Sequence, residues 1–439
     1  MNPTERIRAW IRRKPNQLLL VLAAAVLVRL VWLASRPVMD TYDGGDGPWY
    51  VYQGWQIARG ELSQPLSTVG PLYPFLLAFV WLFFPGGSGY PDGLPPAAYL
   101  TAVRILQIGL SLGLVWLGYR LVRDLTGNHA AAMFTAAGLA LGPAFMIGSF
   151  SILTEPLFMT LLTLSGWLYV RAQADRRAAA FGPAGLALAF AALTRPIVLL
   201  LPVVLLPHLL ARFGWSAGRG RMAWFVLAFA AAVVPWLVYL DRTTGQPFPQ
   251  GLASNLWIGA VGEGHWEGPA ITDERRQDLG DDDRSYTREA IRVIAEDPLG
   301  WIALRTKNVL SAVGTPHGTS DLGGPSVKAS FVQWLHSDGS VQGLWALMKV
   351  RYFPLKSAVY AFHYVAVLLA AVGTWVSRHR WRDFHFVFAV IVYLVFAHAA
   401  LTILPRYLFP AEPFLWVLAG VGASRFRVPA LRPLRSRGS

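Results

Sequence analysis

The 439-residue sequence predicts an all-α protein that crosses a membrane several times. Hydrophobic residues make up 54% of the chain and charged residues only 15%, whereas ordinary globular domains carry roughly 25% charge. Apolar runs of about 20 residues, the length a helix needs to cross a bilayer, recur along the sequence. The mean hydropathy of +0.41 agrees with this class.

Ten apolar runs are predicted to span the membrane. They are 17–36, 98–120, 130–149, 155–171, 178–194, 196–211, 222–240, 357–377, 384–404 and 407–425. Basic clusters flank alternate runs, and cytoplasmic loops of membrane proteins carry an excess of Lys and Arg. With these clusters inside, the ten runs alternate without conflict and both termini lie in the cytoplasm. The formal charge of +14 is therefore mainly an orientation signal, and no nucleic-acid partner is implied.

This topology predicts three parts. Residues 1–240 form an N-terminal transmembrane module with a first external loop at 37–97, and residues 357–439 form the last spans and a basic cytoplasmic tail. Residues 241–356 form a long external loop with interfacial helices, one near 285–296 and one from about 298 to 313, for which Asp297 suits the N-cap and Pro298 the first position. The apolar stretch 71–84 is short for a crossing, so we expect an interfacial or re-entrant helix; the alternative is a short span together with a miscounted helix elsewhere.

Several classes of site are excluded by what the sequence lacks. It contains no cysteine, which rules out disulfides, thiolate metal sites and cysteine nucleophiles. P-loop, Rossmann, HExxH and GxSxG motifs are absent as well. Charges inside the predicted spans are sparse and include no pair of acids, which argues against an ion-coupled transporter.

The first external loop begins with the acids Asp40, Asp43 and Asp46, interleaved with glycines. A carboxylate there could act as a general base, or two could hold a divalent cation. The alternative is an ordinary polar loop leaving the bilayer, where Asp and Gly are common.

Further candidate residues lie at the predicted outer ends of later spans. Glu155 either faces the external cavity or only stabilises a helix start, since Thr154 suits an N-cap and Pro156 a first turn. Arg195 and Arg406 are predicted outside, against the positive-inside trend. Their guanidinium groups either bind phosphate oxygens or only reach lipid headgroups.

An ordered set of short motifs resembles the GT-C superfamily of membrane glycosyltransferases. The set comprises Asp43, Asp46 and Tyr50, then Pro-Leu-Tyr-Pro at 71–74, Leu-Thr-Glu-Pro-Leu-Phe at 153–158, Leu-Thr-Arg-Pro at 193–196, Asn-Leu-Trp-Ile-Gly at 255–259 and Pro-Arg-Tyr at 405–407. The pattern is most similar to the protein O-mannosyltransferase and lipid A aminoarabinose transferase families. The resemblance covers nearly the whole chain and implies the GT-C fold, with about ten transmembrane helices, juxtamembrane helices and a long external loop after the seventh span.

The resemblance also implies a sugar donor carried on a polyprenyl phosphate. The family's catalytic acid lies in the first loop, where Asp46 matches best because it stands four residues before Tyr50, and Asp43 is next. The usual adjacent pair of acids is missing, since Gly47 follows Asp46, so the division of roles between the two remains open. The expected substrate-binding residues are Tyr50, Glu155, Arg195, Lys307, His398, Arg406 and Tyr407, although a lone His398 also suits a packing role.

The sequence therefore predicts a glycosyltransferase of the cell membrane, active on the external face. An Asp base would activate an acceptor hydroxyl of a glycan, lipid or protein in an inverting displacement, and arginines would stabilise the leaving phosphate. No cofactor is expected to be required; a divalent metal is possible, held by Asp43 and Asp46. The alternatives are a non-catalytic translocase of lipid-linked sugars and a transporter or scaffold.

Overall fold

A computed structural model describes residues 14–35, 46–61, 66, 69–84, 90, 94–249, 251–262, 279–280, 283–319, 322, 327–337 and 340–425. Within these ranges the chain is helical and contains no strand. The helices are α1 Lys14–Ser35, α2 Gly47–Ala58, α3 Leu72–Trp81, α4 Ala97–Thr126, α5 His129–Leu141, α6 Pro143–Gly148, α7 Glu155–Ala172, α8 Gly182–Thr194, α9 Leu201–Thr244, α10 Leu252–Val261, α11 Asp283–Glu296, α12 Pro298–Val313, α13 Val327–Ser337, α14 Val341–Met348, α15 Phe353–Ser377, α16 His385–Ala400, α17 Pro405–Leu408 and α18 Glu412–Ser424.

Four stretches of the described residues are long and apolar enough to cross a membrane: Asn16–Ser35, Ala97–Thr126, Pro196–Thr244 and Phe353–Arg380. Shorter apolar helices accompany them, among them α5 and α16. The prediction of an all-α membrane fold is confirmed.

The long helix α9 is two helices joined by a turn. Gly214 lies inside it with φ 74° and ψ 169°, a conformation that only glycine adopts readily. A Cβ added at Gly218 would lie 3.0 Å from the carbonyl oxygen of Leu209, whereas nine residues of continuous helix would separate them by about 13 Å. The chain therefore reverses at Gly214, between the runs predicted at 196–211 and 222–240.

Two predicted runs are interrupted. The run 130–149 breaks at Gly142, whose extended backbone precedes Pro143, because a proline disfavours helical geometry in the residue before it. The run 407–425 begins as the one-turn helix α17 and a 3-10 turn, and the continuous helix α18 starts only at Glu412. In both places proline divides an apolar stretch that hydropathy alone joins.

Small residues bring helix α18 close to α5, in the first half of the chain, and to α15, in the second half. A Cβ at Gly138 of α5 would lie 2.1 Å from the Trp416 ring of α18, and a Cβ at Gly373 of α15 would lie 1.9 Å from the carbonyl oxygen of Leu418. Close backbone approach at small residues is typical of membrane helix packing. The contact of α5 with α18 joins the last helices to the first half of the chain, and two buried apolar clusters each contain residues from both halves.

The predicted external segments contain short helices. α3 has 10 residues, so it is about 15 Å long and too short to cross a bilayer core of about 30 Å. It packs on α2, where Gly54 meets Leu77. α12 begins as predicted, with Asp297 accepting a hydrogen bond from the backbone of Gly300 at 2.9 Å.

Candidate active site

Four charged side chains from separate parts of the chain meet in one network. Arg406 donates through Nη2 to Asp46 Oδ2 at 2.9 Å and through Nε to Glu155 Oε1 at 2.7 Å. Arg195 donates through Nη1 to the same oxygen of Glu155 at 2.8 Å. The network therefore has the order Asp46, Arg406, Glu155, Arg195, with two negative and two positive charges.

Glu155 lies at the centre of this network and is the first residue of α7, with a side chain only 2% exposed. Thr154 occupies the N-cap position but makes no capping hydrogen bond; its hydroxyl instead faces Glu155 Oε2 at 3.4 Å. The preceding turn is anchored by Gln107, which donates to the carbonyl oxygens of Ser151 and Leu153. Glu155 thus combines a helix-start position with a buried ion-pair role.

Arg195 follows the end of α8 in an extended conformation, with Pro196 next in the chain. A Cβ at Gly70 would lie 2.0 Å from the carbonyl oxygen of Leu193, so the chain entering α3 touches the backbone that carries Arg195. This close approach positions the first external loop against the arginine.

Arg406 belongs to the one-turn helix α17, which starts at Pro405 after extended Leu404. Burial lowers the pKa of its guanidinium, but the charges of Glu155 and Asp46 outweigh burial and raise the pKa above its usual value. Arg406 is therefore a fixed cation at every physiological pH. Its planar group donates to two carboxylates from separate nitrogens held in a fixed geometry, whereas a lysine has a single nitrogen.

The network keeps unused hydrogen-bonding capacity. Among the described residues, Arg406 Nη1 and the Nε and Nη2 atoms of Arg195 have no hydrogen-bond partner, and neither does Asp46 Oδ1. Asp46 is 55% exposed, whereas Arg406 is 25% exposed. The arrangement can thus offer a carboxylate acceptor on its open side and guanidinium donors beside it.

The other predicted site residues lie at different distances from this network. Tyr50 is buried on α2 against Tyr73, and burial raises its pKa to about 12, so its hydroxyl stays protonated at neutral pH. The Arg195 guanidinium lies over the Tyr407 ring, 5.8 Å from its centroid. The His398 ring stacks on the same Tyr407 ring, with the two centroids 5.1 Å apart. His398 is therefore buried against the Tyr407 ring.

Lys307 and Asp43 are not joined to the network. Lys307 is exposed on α12 and forms no ion pair with the described residues. Asp43, with Asp40, lies outside the described residues. No group of three or more His, Asp or Glu side chains suited to a metal occurs in the part of the chain that the structure describes.

Sequence reasoning missed two residues near the network. His317 is buried, lies against the Phe409 ring at 4.5 Å and is close enough to act electrostatically on Glu155. The next residue, Gly318, has a φ of 91°, and nothing in the local sequence shows that this turn is buried. Arg305 is also buried, and it donates to the carbonyl oxygen of Leu401, five residues before Arg406.

Comparison with known proteins identifies the fold class of the chain, as follows. The family described as dolichyl-phosphate-mannose-protein mannosyltransferase matches residues 56–245, less than half of the chain. That range contains Glu155 and Arg195 but neither Asp46 nor Arg406. A search of curated proteins gave no match.

Solved structures match over more of the chain. The apo oligosaccharyltransferase of Archaeoglobus fulgidus superposes with a TM-score of 0.53 and 13% identity, covering 95% of this chain and 51% of that one. The same organism's AglB, in complex with an inhibitory peptide and a dolichol-phosphate, has a TM-score of 0.50 and 13% identity, covering 92% and 50%. ArnT from Cupriavidus metallidurans, bound to undecaprenyl phosphate, superposes more loosely at 0.40, with 15% identity and coverage of 93% and 78%.

The fold is thus that of the GT-C membrane glycosyltransferases, and the predicted resemblance to them is confirmed. This fold assignment rests on the superposition with the archaeal oligosaccharyltransferase. The chain spans about half the length of that protein.

Proposed function

We propose that this protein is a membrane glycosyltransferase that moves a sugar from a polyprenyl-phosphate donor to an acceptor hydroxyl on the external face. The observation that carries the proposal is the network of Asp46, Arg406, Glu155 and Arg195. Residues from four distant parts of the sequence converge there in a fold that membrane glycosyltransferases share. Binding of dolichol-phosphate by the archaeal AglB supports a lipid-linked donor.

In the proposed reaction Asp46 is the general base. Its Oδ1 takes the proton of the acceptor hydroxyl while that oxygen attacks the anomeric carbon of the sugar. The bond between the anomeric carbon and the phosphate oxygen breaks, its electron pair stays on the phosphate, and the configuration inverts. Arg406 holds the Asp46 carboxylate in place through the contact of Nη2 with Oδ2. Asp43 is the alternative base, since it precedes Asp46 by three residues.

The leaving group is a lipid phosphate whose negative charge grows in the transition state. The unused donors of Arg406 and Arg195 would stabilise that charge, with Lys307 as a further candidate. Because these cations are held by Glu155 before the substrate arrives, they need little reorganisation. Fixed cations can take the place of a metal in this role, so the proposed reaction needs no cofactor.

The test is sugar transfer by the purified full-length protein, in detergent or liposomes, from a panel of polyprenyl-phosphate sugars. Loss of a positioned base costs about 10²- to 10⁴-fold in rate, so we expect the transfer rate of Asp46→Asn to be lower than that of the wild type by this factor. Asp241→Asn, an exposed acid at the end of α9, is the matched control and should retain activity. Full activity in an Asp43→Asn and Asp46→Asn double variant would overturn the base assignment. Donor binding without transfer to any acceptor would favour a translocase.

A further inference from the structure

The guanidinium group of Arg305 on α12 is buried without a full set of partners. Arg305 is 5% exposed, and its Nη1 donates to the Leu401 carbonyl oxygen at 2.8 Å. Its Nε and Nη2 atoms have no hydrogen-bond partner among the described residues. These two atoms form one edge of the guanidinium plane, the edge that binds two oxygens of a carboxylate or phosphate side by side.

A second unfilled donor lies on the same helix face. Asn308 follows Arg305 by three residues, is 8% exposed, and its Nδ2 also has no partner within the described ranges. Residues three apart on a helix are neighbours on its surface. Burying such donors unpaired is costly, because each loses its hydrogen bonds to water. The unpaired donors of Arg305 and Asn308 are therefore suited to a ligand that has several acceptor oxygens.

The charge balance indicates an anion. Burial lowers the pKa of Arg305, and no carboxylate of the described residues counteracts this. Arg195 and Arg406, in contrast, both contact Glu155. Arg305 is thus a buried cation that the described part of the chain does not neutralise.

The surroundings favour a lipid-borne anion over a soluble one. Elsewhere on α12, the apolar side chains of Leu299, Ile302 and Leu310 are exposed, which suits a hydrocarbon chain or the bilayer itself. α12 also packs against α17, the helix of Arg406. A phosphate held at Arg305 would therefore lie on the element next to the proposed catalytic network.

We propose that Arg305 and Asn308 form a binding subsite for the phosphate of the lipid-linked donor, distinct from the ion-pair network. This inference rests on the proposed function. Arg305 would hold the phosphate in the ground state, whereas Arg406 would take up the charge that develops as the phosphate leaves. Through its bond to Leu401, Arg305 would also couple an occupied subsite to the segment that leads to Arg406.

The experiment measures binding separately from transfer. The full-length protein in detergent is titrated with undecaprenyl phosphate and, as the uncharged control, with undecaprenol, and binding is followed by native mass spectrometry. The variants are Arg305→Gln and Asn308→Asp, with Arg288→Gln, an exposed arginine on α11, as the matched control. We expect Arg305→Gln to weaken binding of undecaprenyl phosphate by about 10-fold or more, the loss typical of a charged hydrogen bond. Arg288→Gln should bind like the wild type.

The Asn308→Asp variant distinguishes a loss of binding from a loss of folding. Its carboxylate would pair with Arg305 from three residues away, so we expect an unchanged or higher melting temperature without ligand together with weakened binding. If Arg305 had a purely structural role, a variant that keeps its melting temperature would also keep its binding of undecaprenyl phosphate. In a donor titration of transfer, Asn308→Asp should raise KM more than it lowers kcat.

Other outcomes contradict the inference. The inference would be overturned if both variants bound undecaprenyl phosphate as the wild type does. It would also be overturned if Lys307→Gln lost this binding while Arg305→Gln kept it. Equal binding of undecaprenol would show that the phosphate is not recognised, and equal competition by inorganic phosphate or by phosphatidylglycerol vesicles would assign the subsite to another source of phosphate. If the wild type transfers sugar while these variants bind undecaprenyl phosphate normally, the subsite proposal is wrong and the proposed function stands. If the wild type neither binds undecaprenyl phosphate nor transfers sugar, the proposed function fails with it.

Discussion

Arg406 donates to Glu155 at 2.7 Å across 251 positions of sequence. The bond joins the start of α7 to the short helix α17 and holds Arg406 where it can also reach Asp46. Glu155 contacts Arg195 through the same oxygen, so one buried carboxylate positions two cations. We infer that Glu155 is a positioning residue and that the two arginines and Asp46 face the substrates.

Glu155→Gln should impair both stability and activity. Removing one partner of a buried ion pair costs about 3–5 kcal/mol, with the lower end expected because Arg195 and Arg406 are 16% and 25% exposed. The transfer rate should fall by about 10²-fold, since both cations lose their anchor. Thermal unfolding and transfer assays measure the two effects. Glu296→Gln, at the exposed end of α11, is the control, and equal behaviour of the two variants would refute the positioning role.

Arg406→Lys should be nearly as damaging as Arg406→Gln. A lysine keeps the charge but cannot donate to Asp46 and Glu155 from one rigid plane, so we expect a loss of about 10²-fold in transfer rate. The matched control is Arg292→Lys, because Arg292 also contacts two carboxylates but is 55% exposed. Exposed ion pairs contribute little. A rescue of activity by lysine at 406 would show that charge alone suffices.

Gly70→Ala should disturb the site without touching a charged residue. The added Cβ would lie 2.0 Å from the Leu193 carbonyl oxygen, so α3 or the end of α8 must move, and Arg195 with it. We expect lower thermal stability and weaker transfer. Gly109→Ala on α4, where a Cβ meets nothing within 4 Å, should be neutral or stabilising by about 1 kcal/mol. Unchanged activity in Gly70→Ala would mean that this contact does not position Arg195.

Transfer should persist after treatment with EDTA. The proposed reaction relies on arginine cations already positioned by Glu155, and chelation leaves these charges in place. The measurement compares rates before and after EDTA, with added Mg²⁺ or Mn²⁺ as a further arm. A loss of activity that metal restores would assign a catalytic cation to this protein, with Asp46 as its first candidate ligand.

Local patterns predicted most of the helices because helix starts and ends depend on nearby residues. Asp297 and Pro298 marked the start of α12 correctly, since an N-cap and a first-turn proline act within a few residues. The runs 130–149 and 407–425 were too long because hydropathy gives little weight to a proline within an apolar stretch. The turn at Gly214 within α9 agrees with the predicted separation of two apolar runs there.

The sequence by itself determined the membrane class and the candidate residues of the site. Hydropathy and composition act additively along the chain, and short motifs at Asp46, Glu155, Arg195 and Arg406 could be found one at a time. Only the tertiary structure decided which of these charges pair, that Glu155 is shared by two arginines, and that Lys307 stays apart. Arg305 went unnoticed because burial and unfilled hydrogen bonds depend on packing between elements that are distant in sequence. Such contacts cannot be deduced from local pattern, since a helix face acquires its environment only when the helices assemble.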